Sequence, residues 1–234
     1  MPALSRPHWP RLSRRLLITA GVFLAAFIIV TLIVVFGGFT GLNGRLTTYL
    51  QHRGSTAQDI ALGLFTYLGS AELTLVISAL IGLALFRGLR LLAVLPVAFV
   101  LAGSVLEVIG KNVIGSPAPP LAINHFPSFL PHLSHNVGQF SYPSGHVLRA
   151  TITYGLVLYL SERWELFGKD SSRLSPVLVL MVFLIGYAVV YLGWHWFSDA
   201  VGGLLLGLTL LFGLIAYLER KRTVNPGLHP QVDD

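Results

Sequence analysis

The sequence predicts an all-α integral membrane protein with six transmembrane helices, both termini cytoplasmic and a site at the extracytoplasmic face. Three observations carry this. Apolar residues make up 54% of the chain and charged residues only 11%, where a soluble domain carries about 25% charged residues. Six apolar stretches are each close to the roughly 20 residues that a helix needs to cross the hydrocarbon core. Lysine and arginine cluster in alternate connections, the pattern of the positive-inside rule.

A basic head, residues 1–15, carries Arg6, Arg11, Arg14 and Arg15. Leu16 to Phe36 is an uninterrupted apolar run without charge. It is too long for a signal-peptide core and lacks a clear small-residue cleavage site, so it is read as the first span. Glycines close it, and residues 45–60 are polar, with Arg45, Arg53 and Asp59. The second span is 61–86, with Glu72 near its start. A tight basic turn, Arg87-Gly88-Leu89-Arg90, leads to the third, 91–114. Residues 116–142 hold five prolines and cannot form a continuous helix. The fourth span, 143–160, is followed by a polar turn with Arg163, Lys169 and Arg173. The fifth, 176–192, and the sixth, 200–218, flank the short break Gly193-Trp194-His195-Trp196-Phe197-Ser198-Asp199. A cytoplasmic tail, 219–234, opens Glu219-Arg220-Lys221-Arg222 and has no hydrophobic pattern.

The head, the 87–90 turn, the 161–175 turn and the tail hold every lysine and arginine except Arg45, Arg53, Lys111 and Arg149. These segments therefore lie in the cytoplasm, and the net charge of +6 reports membrane topology rather than nucleic-acid binding. With no cysteine, disulfides and thiolate metal sites are excluded.

The chemistry centres on Ser141-Tyr142-Pro143-Ser144-Gly145-His146, a loop entering a helix. Pro143 suits a first helical position. Ser144 and Gly145 then present free N–H groups, which attract anions and phosphate above all. His146 adds a group that exchanges protons near neutral pH. Topology brings two more segments to the same face. One is the end of the third span, where Glu107 and Lys111 share a helix face. The other is His195 with Asp199, four apart, so that the carboxylate can reach one imidazole nitrogen and fix the tautomer. Ionisable groups in membrane spans are costly and mark function. Arg149 lies on the face of His146, one turn deeper. Its anionic partner is a bound phosphate or Glu107, and both hold if the two compete for Arg149. His125, His132 and His135 lie in the outer loop; the His-x2-His pair could bind a metal, but so loose a spacing is weak evidence, and the three read as surface-loop histidines or a lid. Trp194 and Trp196 read as interface anchors.

In these motifs the sequence resembles the type 2 phosphatidic acid phosphatases, or lipid phosphate phosphatases, which are related to vanadium haloperoxidases. That family carries Lys-x6-Arg-Pro, Pro-Ser-Gly-His and Ser-Arg-x5-His-x3-Asp in this order. The second motif is complete at Pro143-Ser144-Gly145-His146. His195 and Asp199 match the third, and Lys111 and Pro119 the first. Ala118 and Val189 stand where the family has its two phosphate-clamping arginines. The resemblance implies His195 as nucleophile, Asp199 as its orienting carboxylate and His146 as the acid that protonates the leaving oxygen. Lys111, Ser144 and Gly145 would hold the phosphate, with Arg149 the candidate replacement for the lost arginines. No metal or other cofactor is implied, because fixed cations and N–H groups supply the charge stabilisation.

The expected function is hydrolysis or transfer of a lipid phosphate or diphosphate through a phosphohistidine, with the bilayer and the lipid as partners. The expected location is a bacterial inner (plasma) membrane. The alternative is a catalytically weak or inactive relative that binds or translocates a phospholipid, which the absent arginines favour. A small-molecule transporter ranks last, for want of repeats or paired broken helices.

Overall fold

The computed structural model describes residues 11–131, 139–164 and 174–224. Most of the basic head, His132 and His135, much of the 161–175 turn and the tail beyond 224 lie outside the described residues. Eight α-helices follow in order among those described: α1 (Arg11–Val35), α2 (Thr40–Gln51), α3 (Thr56–Thr66), α4 (Ala71–Leu89), α5 (Leu95–Ile114), α6 (Gly145–Trp164), α7 (Leu174–Tyr191) and α8 (Phe197–Val224). No strand is present among the described residues. Pro117 and Phe140 form an isolated antiparallel bridge that pinches the long α5–α6 loop.

Helix α6 is the axis of the fold. Every residue from 141 to 154 is buried, and α4, α5, α7 and α8 all pack on it. This enclosure explains its composition. A helix surrounded by protein can carry Arg149, Thr151 and Thr153, whose polar groups would be costly against lipid. The outer helices show the opposite pattern. Ile18, Val22, Ile28 and Ile29 of α1, Val105 and Val113 of α5, and Val177 and Phe183 of α7 are exposed. Four helical stretches are long and apolar enough to cross a membrane: Arg11–Val35, Leu92–Ile114, Leu174–Tyr191 and Phe197–Lys221. A fifth is added if α3 and α4 are one broken span. The chain is a multi-pass membrane protein.

Two regions differ from the sequence reading. The polar segment 45–60 is largely helical, forming most of α2 and the start of α3. The second span is not continuous: Thr56–Gly69 and Ala71–Phe86 meet at a 46° bend. The starts of α3 and α4 have a capping cause. Ser55 accepts a hydrogen bond from Gln58 N at 3.3 Å and starts α3. Ser70 is extended and accepts from Leu73 N at 3.2 Å, so its hydroxyl starts α4 where the apolar run alone suggests continuity.

Candidate active site

The N-terminus of α6 is built by the loop before it. Tyr142 is fully buried, and its hydroxyl pairs with Thr31 Oγ1 of α1 at 2.9 Å. Ser141 N donates to Ser116 O at 3.0 Å and Ser144 N to Asp199 O at 2.9 Å. The second bond ties the first turn of α6 directly to the first turn of α8. Ser144 Oγ is buried and has no hydrogen-bond partner among the described residues.

The α7–α8 break supplies the second half. Gly193 has φ +71°, a left-handed conformation that favours glycine, and a Cβ there would overlap Ile123 O. The chain thereby turns so sharply that Trp194 N and His195 N both donate to Val189 O, at 3.0 and 3.1 Å. His195 is buried, and its ring centroid lies 6.4 Å from that of His146. Asp199 is fully buried. Its Oδ2 accepts from Trp196 N at 2.9 Å, as the third-position acid of a capped helix does, and lies 3.6 Å from His195 Nδ1. That separation is an electrostatic contact rather than a hydrogen bond. Asp199 Oδ1 and His195 Nδ1 have no hydrogen-bond partner among the described residues.

The cations approach from α5 and from within α6. Lys111 Nζ donates to Glu107 Oε1 at 2.7 Å. Arg149 Nη1 donates to Glu107 Oε2 at 2.5 Å, and its Nε reaches Gly69 O at 3.4 Å. Glu107 therefore bridges both cations, and Arg149 takes the protein carboxylate of the two partners its position allows. The Glu107 carboxylate also presses on Gly145, where a Cβ would overlap it.

Lys111, Ser144, Gly145, His146, Arg149, His195 and Asp199 thus converge on one end of α6. His125 lies apart: its Nδ1 is 3.7 Å from Asp59 Oδ1 of α3, and its N–H donates to Leu192 O at 3.0 Å. Among the described residues no group of three or more His, Asp or Glu is placed to hold a metal ion. Trp194 is not an interface anchor. It is buried between Phe126, at 4.6 Å between ring centroids, and His146, at 5.4 Å. Trp196 Nε1 donates to Pro117 O at 2.9 Å and fastens the α5–α6 loop.

Sequence reasoning missed Asn43 of α2. Its Nδ2 donates to Ser198 Oγ at 2.9 Å, and its Oδ1 accepts from Ser198 N at 3.1 Å. It caps α8 from a helix 155 residues away in sequence. Gln51 acts similarly, donating to Ile123 O and Tyr191 O. Next to the site, an apolar cleft of about 310 Å³ is lined by Leu50, Val147, Val182, Phe183, Ala200 and Leu204 among others.

Residues 91–223 match the sequence model of the PAP2 superfamily. The chain belongs to the PAP2 superfamily. Phosphatidylglycerophosphatase B of Bacillus subtilis (strain 168) is 35% identical over 96 residues, 41% of this chain and 46% of that protein. The undecaprenyl-diphosphatase of Sulfolobus acidocaldarius is 30% identical over 132 residues, 56% of this chain and 57% of that protein. The chain spans about half the length of these curated relatives. The crystal structure of the transmembrane PAP2-type phosphatidylglycerolphosphate phosphatase from Bacillus subtilis superposes with a TM-score of 0.73 at 22% identity. It covers 86% of this chain and 96% of that one. That likeness is one of fold. The PAP2 match begins at residue 91, so α1 to α4, with Thr31, Asn43 and Gln51, lie outside it although they brace the site. Of the two positions that hold arginine in the motifs, Val189 is fully buried in an apolar cluster with Phe126, Val147 and Trp194. Ala118 lies in the α5–α6 loop, its N–H on Gln139 O at 3.0 Å.

Proposed function

We propose that this PAP2 protein hydrolyses or transfers a lipid phosphate or diphosphate at the outer face of a bacterial plasma membrane. It does so with six spans and both termini in the cytoplasm. The observation that carries the reading is the meeting of two buried histidines, His146 and His195, at the N-terminus of α6 with Asp199 and Ser144. A helix N-terminus favours the phosphate, and a carboxylate-paired imidazole supplies a nucleophile beside it. The curated relatives, a phosphatidylglycerophosphatase and an undecaprenyl-diphosphatase, suggest a phosphatidylglycerophosphate or a polyprenyl diphosphate as substrate; phosphatidate is the third candidate.

In the proposed reaction, Asp199 faces His195 Nδ1, which leaves Nε2 to attack phosphorus. The bond from phosphorus to the lipid oxygen breaks as His146 gives that oxygen its proton. The resulting phosphohistidine is then cleaved by water, whose proton returns to His146. Lys111, Arg149, Ser144 and the Gly145 N–H stabilise the phosphoryl oxygens, the largest contribution in phosphoryl transfer. The apolar cleft beside Val147 and Ala200 gives the lipid tail a lateral path.

The test is phosphate release by the purified protein from a panel of lipid phosphates, beside His195→Ala. Loss of about 10³-fold or more with folding intact is expected for removal of a covalent nucleophile. Release that His195→Ala leaves unchanged would refute the mechanism. A second reading, a weak relative that binds or translocates a phospholipid, is favoured by Ala118 and Val189 at the arginine positions. It predicts binding of the same lipids with no release.

A further inference from the structure

Two cations beside the N-terminus of α6 already hold an anion. Lys111 donates to one oxygen of Glu107 at 2.7 Å and Arg149 to the other at 2.5 Å. Glu107 is 8% exposed and Arg149 3%, so water screens their attraction poorly. The carboxylate rests on Gly145, the first residue of α6, where a helix attracts negative charge. A lysine, an arginine and a helix N-terminus around one carboxylate form the set that would receive a phosphate. Glu107 does not engage Ser144 Oγ, which is buried in the same turn and has no hydrogen-bond partner among the described residues.

We propose, resting on the phosphatase reading above, that Glu107 is a specificity-determining residue. Its carboxylate and the substrate phosphate compete for Lys111 and Arg149. A membrane surrounds the site with phosphodiester headgroups, each carrying a single negative charge. Such a group offers no more charge than Glu107 itself, so it gains little by displacing it. A terminal phosphate or diphosphate carries more charge and more free oxygens. It can take both cations and also reach Ser144 Oγ. Glu107 thus sets a threshold of charge that admits terminal phosphates and excludes diesters. The same competition accounts for a site that works with fewer cations than its motifs specify: the remaining two are held in place by Glu107 until substrate arrives.

The experiment is calorimetric binding of inorganic phosphate and of dimethyl phosphate to the full-length protein in detergent. The wild type is expected to bind phosphate and to bind the diester far more weakly. Glu107→Gln is expected to tighten dimethyl phosphate about tenfold or more, the low end of coupling between close charge pairs. Glu107→Asp keeps the charge but is too short to span both cations, and is expected to tighten the diester as well. Tightening in Glu107→Gln alone would mean a general field effect and would overturn the competition. So would unchanged diester affinity in both folded variants. Should Glu107→Gln not fold, the comparison becomes Arg149→Gln against Glu107→Gln/Arg149→Gln. The double variant is expected to bind the diester more tightly through the freed Lys111, and equal affinities would overturn the proposal. A wild type that binds neither anion and releases no phosphate would refute the phosphatase reading itself, a result distinct from the failure of Glu107 alone.

Discussion

Removing the Asn43 side chain tests whether the site depends on a helix outside the PAP2 match. Asn43 and Ser198 are 8% and 1% exposed and share two hydrogen bonds, at 2.9 and 3.1 Å. Ser198 N is one of the N–H groups in the first turn of α8 that no helical carbonyl can satisfy. Asn43→Ala leaves that N–H buried without an acceptor and strips Ser198 Oγ of its donor. The expected cost is about 2 kcal/mol, combining a lost cap with a stranded buried group. For a chain of this size that corresponds to a fall of roughly 4–8 °C in melting temperature. Activity should fall further than stability alone implies. His195 and Asp199 bracket Ser198, and a displacement of about 1 Å in a catalytic group can cost about 10²-fold. The assay is thermal unfolding in detergent beside phosphate release at a temperature where the variant is folded. Asn43→Asp keeps the acceptor for Ser198 N and should recover most of the melting temperature. An Asn43→Ala variant that melts and turns over like the wild type would refute the argument that α2 holds the start of α8.

Gly145→Ala should lower both melting temperature and phosphate release, because its Cβ would overlap the Glu107 carboxylate; normal behaviour in both assays would show that the carboxylate moves freely. A double-mutant cycle with Arg149→Met and Glu107→Gln, read by unfolding in detergent, should give a coupling of at least about 1 kcal/mol, since breaking a buried pair strands a charge. Val189→Arg should destabilise by about 3 kcal/mol or more and not restore activity, because residue 189 is fully buried among apolar side chains. Ala118→Arg, in a half-buried loop, should stay within roughly 0.5 kcal/mol of the wild type, measured by the same unfolding transition.

What the sequence made legible follows from which interactions are local. Glu107 and Lys111 are four residues apart within α5, and helical geometry alone puts them within hydrogen-bond reach; His195 and Asp199 share the spacing, but His195 precedes α8 and its Nδ1 stops 3.6 Å from the carboxylate. Arg149 needed one further step, a shared depth on two spans, and that also could be argued from lengths. Asn43 could not. It sits among Gly41, Gly44 and Arg45, a composition that reads as a connection, and its partner is known only once α2 is laid against α8. The break at Ser70 was obscured by apolar residues on both sides, although Ser55-x-x-Gln58 carried a capping signal one helix earlier. Trp194 was misplaced for a related reason. Aromatics at span ends commonly face the interface, but the Gly193 turn folds this one inward against His146. Helix α6 was the reverse case: Arg149, Thr151 and Thr153 within an apolar stretch are what a span enclosed by others can carry.

The positions of the lost arginines bear on how such a site is charged. Those two motif positions fall in the loop after one span and near the end of another. Here position 118 is an alanine bonded through its backbone to Gln139. The position at 189 is a valine whose carbonyl anchors Trp194 and His195 while its side chain joins the apolar cluster. An arginine at 189 would have to leave that cluster or be buried uncompensated within it. Of the cations that remain, Lys111 stands in the last turn of α5 and Arg149 is buried within α6, and an acid on α5 joins them. A cation fixed inside a packed helix pair costs little to order when substrate binds, since its side-chain entropy is already lost. It also needs a counter-charge in the absence of substrate, because an unpaired arginine at that depth would be strongly destabilising. Glu107 meets that need, and the requirement for a resting counter-ion is the physical reason that charge supplied from within the helices brings an internal competitor with it.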